Sequence, residues 1–164
     1  MAVDNFANCL AFTLKYEGAF VDNPHDPGGP TCCGITQATL SHELGRKASL
    51  AEVRALQPQS GLVKNIYIKK YWNLIDGDRL AEGVDLMAFD IAVNMGPGRA
   101  LRWLAQTVSL NPSARVRRLH AVRLGFWKRL KIWAHFGRGW TAREVACERL
   151  ALTMATAPVL APAL

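Results

Sequence analysis

Val84-Asp85-Leu86-Met87-Ala88-Phe89-Asp90-Ile91-Ala92-Val93-Asn94-Met95 is apolar almost all the way round a helical wheel. A helix with apolar residues on every side is covered on every side, so this stretch reads as the buried centre of the fold. Gly96-Pro97-Gly98 ends it sharply. Asp90 and Asn94 stand four residues apart and share one face of this helix. Polar groups in such a place need partners: each other and a neighbouring loop, or a ligand. A structural supporting role is expected for the pair.

Working outward, the pattern stays helical. Phe6, Leu10 and Leu14, with Cys9 and Thr13 alongside, recur at the spacing of an amphipathic helix from Asp4 to Glu17. Asp4 or Asn5 is its expected N-cap and Gly18 its stop. Ser49-Leu50-Ala51-Glu52 reads as a capping box opening a short helix. Helical pattern returns from Gly61 to Trp72, with Val63, Ile66, Tyr67 and Lys70 at helical steps, and again from Arg99 to Val108. After Asn111-Pro112-Ser113 a long basic helix is predicted over residues 114–136, and a last one from Thr141. Residues 21–34 are rich in Pro and Gly and are expected to form an ordered loop or a short hairpin. Strand signal is nearly absent and there are no internal repeats. The predicted architecture is mostly α.

The length of 164 residues suits one compact domain, with room for a small appendage. An apolar half and a charged fifth exclude wholesale disorder. The net charge of +7 is unevenly spread: residues 1–90 carry 8 Lys and Arg against 11 Asp and Glu, residues 91–164 carry 12 against 2. An acidic portion where chemistry can sit is thus followed by a basic portion suited to a polyanionic surface. The first residues lack the basic start of a secretory signal, and no run reaches the roughly 18 apolar residues of a membrane span. Synthesis as a soluble cytoplasmic chain is expected. The cysteines Cys9, Cys32, Cys33 and Cys147 include no C-x-x-C pair, and only His25 is near Cys32 and Cys33. Free thiols and no metal site are expected.

Glu17 is the first candidate for chemistry. It lies seven residues after Leu10 and eleven after Phe6, on the apolar stripe of its helix. A carboxylate at a helix C-terminus opposes the macrodipole, which makes a purely stabilising role less natural. Partial desolvation is expected there, a setting suited to a general acid. Asp22 and Asp26 follow in the Pro/Gly-rich loop. A desolvated acid with a more solvated carboxylate nearby is the division of labour of glycoside hydrolysis. The plainer role for Asp26 is an Asx-type turn ahead of Pro27, and for Cys32 a small residue packed under the loop.

Tyr16-Glu17-Gly18-Ala19-Phe20-Val21, Asp26-Pro27-Gly28-Gly29 and Gly34-Ile35-Thr36 together resemble the opening of glycoside hydrolase family 108. The similarity continues in Tyr71-Trp72, in Phe89-Asp90-x-x-Val93-Asn94-x-Gly96-Pro97-Gly98, and in Phe136-Gly137-Arg138-Gly139-Trp140-Thr141-x-Arg143. The last of these resembles the predicted peptidoglycan-binding region that follows the family's catalytic part. Two departures are visible: Ala19 stands at the second glycine of the family's Glu-Gly-Gly, and residues 108–114 lack an Asp-Gly-x-x-Gly-like loop.

The resemblance implies a lysozyme-like helical domain with a Gly/Pro-rich active-site loop or small hairpin. It implies an N-acetylmuramidase, endolysin-like, acting on peptidoglycan glycan strands without a cofactor. Glu17 then corresponds to the catalytic acid. By analogy with the Glu, Asp and Thr/Cys spacing of phage-type lysozymes, Asp26 is the second carboxylate, with Thr31 or Cys32 positioning water. Thr36, Gln37, Tyr71, Trp72 and Asn94 are the expected substrate-binding residues, although core packing is the commoner fate of a pair such as Tyr71-Trp72.

Residues 1–108 are expected to form the catalytic region and 109–164 a basic helical region packed on it as one compact unit. From Arg115 to Lys131 stand seven basic residues and no acid, with Leu119, Val122, Phe126, Leu130 and Trp133 along the other face. A solvated basic face over a core stripe is the plain reading. Attraction to anionic wall polymers is the sharper one. A basic protein that binds nucleic acid or wall without catalysis is the alternative, but no recognised nucleic-acid motif is present. A monomer is expected, reaching the wall or periplasm through a holin-like or other release route.

Overall fold

The computed structural model describes residues 5–18, 20–22 and 29–156. It is mostly α, as the periodicity predicts. The helices are α1 (Phe6–Tyr16), α2 (Gln37–Leu44), α3 (Leu50–Arg54), α4 (Gly61–Tyr67), α5 (Val84–Met95), α6 (Pro97–Ala105), α7 (Pro112–Lys128) and α8 (Trp133–Thr156). A hairpin of β1 (Thr31–Cys32) and β2 (Ile35–Thr36) precedes α2. By contacts the chain falls into two compact units: Leu10–Lys70, and the residues up to Cys9 together with the chain from Tyr71 onward.

In the Leu10–Lys70 unit, side-chain caps start each helix where the sequence places a hydroxyl. Thr36 accepts from the Thr39 amide to open α2, and Ser60 accepts from Val63 to open α4. Ser49 and Glu52 form the reciprocal capping box of α3. Arg46 also pairs with Glu52, and with the Ser49 bonds this holds the Glu52 carboxyl at about 2. The helical pattern that begins at Gly61 is α-helical to Tyr67 and then winds as a π-helix over Ile68–Trp72. Such single-turn widenings often stand at functional sites.

In the other unit α5 is the centre. Its residues Val84 to Ala92 are all buried, as an all-round apolar helix demands. Gly96, at φ 88°, makes the turn into α6, a backbone conformation that a side chain would strain; Pro97 then opens α6 at its first position. Helices α6, α7 and α8 pack on α5. Asp90 and Asn94 find their partners here. The buried Arg123 donates to Asp90 at 2.8 Å, and Arg143 donates to Asp90 at 2.7 Å. Asn94, with its amide oxygen turned to Arg143, accepts at 2.6 Å.

Two expectations are corrected in this unit. The break predicted between residues 136 and 141 falls instead at 129–132, so that Thr141 lies inside α8. Gly137 and Gly139 look like helix breakers, but Gly137 is a packing site: a β-carbon there would lie 2.6 Å from the Trp133 ring one turn earlier. Arg123, assigned by pattern to a solvated face, is fully buried. The core stripe of α7 is Val116, Leu119, Arg123 and Trp127, whereas Val122 and Phe126 are only half-buried. The guanidinium is tolerated because Asp90 and Glu144 pair with it, Glu144 at 2.9 Å, and its plane lies over the Trp127 ring.

Candidate active site

Helix α1 buries Phe6, Cys9, Leu10, Thr13 and Leu14, the stripe its sequence predicts. Glu17 follows directly, half-buried, with its amide donating to the Thr13 carbonyl at 3.3 Å. The chain then meets the hairpin. Val21 and Thr31 exchange both backbone hydrogen bonds, at 2.8 and 2.9 Å, which closes the Pro/Gly-rich loop at its base. Asp26 and Gly28 lie outside the described residues.

The hairpin turn is Cys33-Gly34, with φ of 52° and 69°. Positive φ at both central residues is the type I′ geometry that matches strand twist, and it makes Gly34 the natural second residue. The register pairs Thr31 with Thr36 and Cys32 with Ile35. The buried Tyr67 of α4 donates its hydroxyl to the Cys33 carbonyl at 2.9 Å and so pins the turn. Glu17 rests on the same turn: a β-carbon at Gly34 would lie 3.1 Å from Glu17 Oε2 and 2.5 Å from the Tyr67 hydroxyl. The carboxylate is therefore seated where a side chain is missing. One oxygen lies over backbone, next to a phenol that holds that backbone still.

The other expected residues divide in two. Thr31, Cys32, Thr36 and Gln37 belong to the same unit as Glu17, but their side chains have local structural partners. Thr31 donates to the Gly29 carbonyl at 3.0 Å, Thr36 caps α2, and Gln37 donates to the Ala48 carbonyl at 2.7 Å. Cys32 is buried with its thiol directed at the Leu56 carbonyl. The neighbouring Cys33 thiol, also buried and 3.8 Å from that of Cys32, is pushed up to about 12 by desolvation and by Cys32, so it is a poor nucleophile at neutral pH. All four cysteines are free thiols. Tyr71, Trp72 and Asn94 belong to the other unit. Trp72 is a core residue there: its indole donates to Asp78 at 2.9 Å and its ring meets Phe6 and Phe89 edge-on. Tyr71 is half-buried and Asn94 is exposed. No group of His, Cys, Asp and Glu that would hold a metal occurs among the described residues.

Tyr67 is the site-building residue that pattern reading missed. Tyr67 carried a signal, since a phenol on a buried helix stripe must find a hydrogen-bond partner.

A family model described as Glycosyl hydrolase 108 matches residues 10–96. The chain belongs to glycosyl hydrolase family 108. It is a glycoside hydrolase, and the family's substrate is peptidoglycan. The match takes in Glu17, the hairpin, α2 to α4 and the central helix α5, and ends at Gly96. A solved structure titled "Structure of Brucella abortus SagA" is similar over nearly the whole chain, with 35% identity and a TM-score of 0.79, covering 95% of this chain and 98% of that one. No curated protein matches the chain. Within the family 108 fold, the glycine turn and its tyrosine strut give Glu17 a defined seat.

Proposed function

We propose that this family 108 hydrolase is an N-acetylmuramidase that cleaves the β-1,4 bond between N-acetylmuramic acid and N-acetylglucosamine, with Glu17 as general acid. One observation carries the assignment: the half-buried Glu17 carboxylate sits on the Cys33-Gly34 turn, in space that only a glycine leaves open. The protonated carboxyl donates its O–H to the glycosidic oxygen as the bond to the N-acetylmuramic acid anomeric carbon breaks. Asp26, on the loop that Val21 and Thr31 close, is the second carboxylate and acts on the oxocarbenium-like state or on the attacking water. Thr31 or Cys32, on the strand that Val21 pairs with, positions that water. The basic helices α7 and α8, in the region 109–164, concentrate the enzyme on the anionic wall.

The test is mass spectrometry of fragments released from purified sacculi. N-acetylmuramic acid at the reducing end is expected, and N-acetylglucosamine there would overturn the bond assignment. Glu17→Gln keeps the side-chain shape and removes the transferable proton, so it should abolish release while the protein stays folded. Wild-type release by that variant would exclude Glu17 as the acid. Absence of any hydrolysis, with salt-sensitive nucleic-acid or wall binding retained, would favour the non-catalytic alternative.

A further inference from the structure

The turn from α7 into α8 presents an exposed apolar surface. Ile132 and Phe136 are one helical turn apart, the Phe136 amide donating to the Ile132 carbonyl. Both project into solvent, 48% and 56% exposed. Trp140, one turn further, stacks on Phe136 with ring centres 5.8 Å apart and planes at 19°. On other sides Trp140 meets Trp127 at 5.4 Å and Trp133 at 6.3 Å. The result is an apolar knob on a rigid aromatic base. Beside it along α8 runs an open groove of about 570 Å³, lined by Trp133, Gly137, Thr141 and Val145 among others, with Arg138 its one charged residue.

The charged side chains at the corner are cationic. Lys128, Arg129, Lys131 and Arg138 are all exposed around the corner. No Asp or Glu occurs between Asp90 and Glu144, and no Asn or Gln between Lys128 and Arg143. Sugar hydroxyls need acceptors as well as donors, and sugar rings and nucleic-acid bases need an open aromatic face. Here no carboxylate or carboxamide accepts, only Thr141, His135 and backbone. The Trp140 ring is already in contact with Phe136, Trp127 and Trp133, which leaves Phe136 as the exposed carbon ring. Exposed apolar side chains ringed by Lys and Arg are instead the composition that seats a protein in the headgroup layer of an anionic bilayer.

We propose that the α7–α8 corner is a membrane-docking surface: Ile132 and Phe136 enter the interface of a bilayer rich in anionic phospholipid while Lys128, Arg129, Lys131 and Arg138 pair with the phosphates. It does not rest on the Glu17 assignment. An enzyme so held acts on the wall layer nearest the membrane.

The experiment is co-sedimentation of the full chain with phosphatidylglycerol-containing vesicles, with pure phosphatidylcholine vesicles, and with lipid-free sacculi. Tryptophan emission is recorded in parallel. Strong binding to the anionic vesicles with a blue shift is expected, and little to the zwitterionic ones. The double variant Ile132→Ser/Phe136→Ser removes only exposed side chains and should lower vesicle partition roughly tenfold or more, with little change on sacculi. Lys131→Glu should lower it roughly fivefold or more by a separate route, and high salt should weaken the wild type in the same direction. Failure to bind anionic vesicles would overturn the proposal. So would double-variant binding equal to wild type, or an equal loss on sacculi, which would make the corner a glycan surface.

Discussion

Gly34→Ala is the sharpest perturbation of the proposed site. The added methyl would lie 2.5 Å from the Tyr67 hydroxyl and 3.1 Å from Glu17 Oε2. At φ 69° an alanine costs about 1–2 kcal/mol from the left-handed backbone alone. The methyl must also push the phenol off the Cys33 carbonyl, a buried bond of 2.9 Å, at a further cost of about 1–3 kcal/mol for the acceptor left behind. The hairpin should therefore lose roughly 2–5 kcal/mol in urea denaturation. Glu17 must shift as well, and hydrolysis of soluble peptidoglycan fragments should fall on the order of tenfold to a hundredfold in kcat. Tyr67→Phe supplies the control, because it removes the oxygen that collides while keeping the ring. The double variant should be less destabilised than the two single changes added together, by about 1–3 kcal/mol. Additive losses, or a Gly34→Ala enzyme as stable and active as wild type, would refute the seat described for Glu17.

Arg123→Met strips a fully buried cation from Asp90 and Glu144; it should cost about 3–5 kcal/mol, lowering the Tm by roughly 6–20 °C in a scanning melt, and a change under about 2 °C would show that the cluster is not a structural keystone. His120 is raised above its ordinary value by the Glu144 carboxylate 3.5 Å away and by Glu148, against burial and Arg123. A raised folded-state value means that its stabilisation is complete below about pH 6.5 and is lost as pH climbs through the higher folded value, so His120→Gln should flatten that part of a stability–pH curve. Asp90 behaves oppositely. Burial disfavours its charge, but Arg123 and Arg143 outweigh burial and hold it low, so its contribution vanishes only as pH falls below the ordinary carboxylate range; Asp90→Asn should blunt the acid limb of the melt. Ser49→Ala removes the capping box of α3 and should cost about 1 kcal/mol, measured by urea midpoint.

Much of this molecule was legible in one dimension. The central helix over Val84–Met95, the capping box at Ser49 and the buried stripe of α1 follow from periodicity and hydroxyl placement, both of which act within a few residues. The end of α7 was not legible, since nothing local stops the helix at Lys128 and nothing local protects Gly137 from breaking one. Both outcomes are set by packing. Arg123 shows the same limit in charge: among six other basic residues it looks solvated, and only the acids of α5 and α8 reveal why it is buried.

The order of residues was enough to single out Glu17 as the proposed acid, because a carboxylate on an apolar stripe followed by a Gly/Pro-rich loop is a local chemical anomaly. Family membership came from the same linear information, through residues 10–96. What seats the carboxylate came only from the folded chain. Gly34 and Tyr67 are separated from Glu17 by 17 and 50 residues in sequence, yet both stand at the same turn as its carboxylate. Helical periodicity reports which side of an element is covered, but not which distant side chain covers it. That choice belongs to tertiary packing, where excluded volume and buried hydrogen bonds select one arrangement among many that the pattern allows.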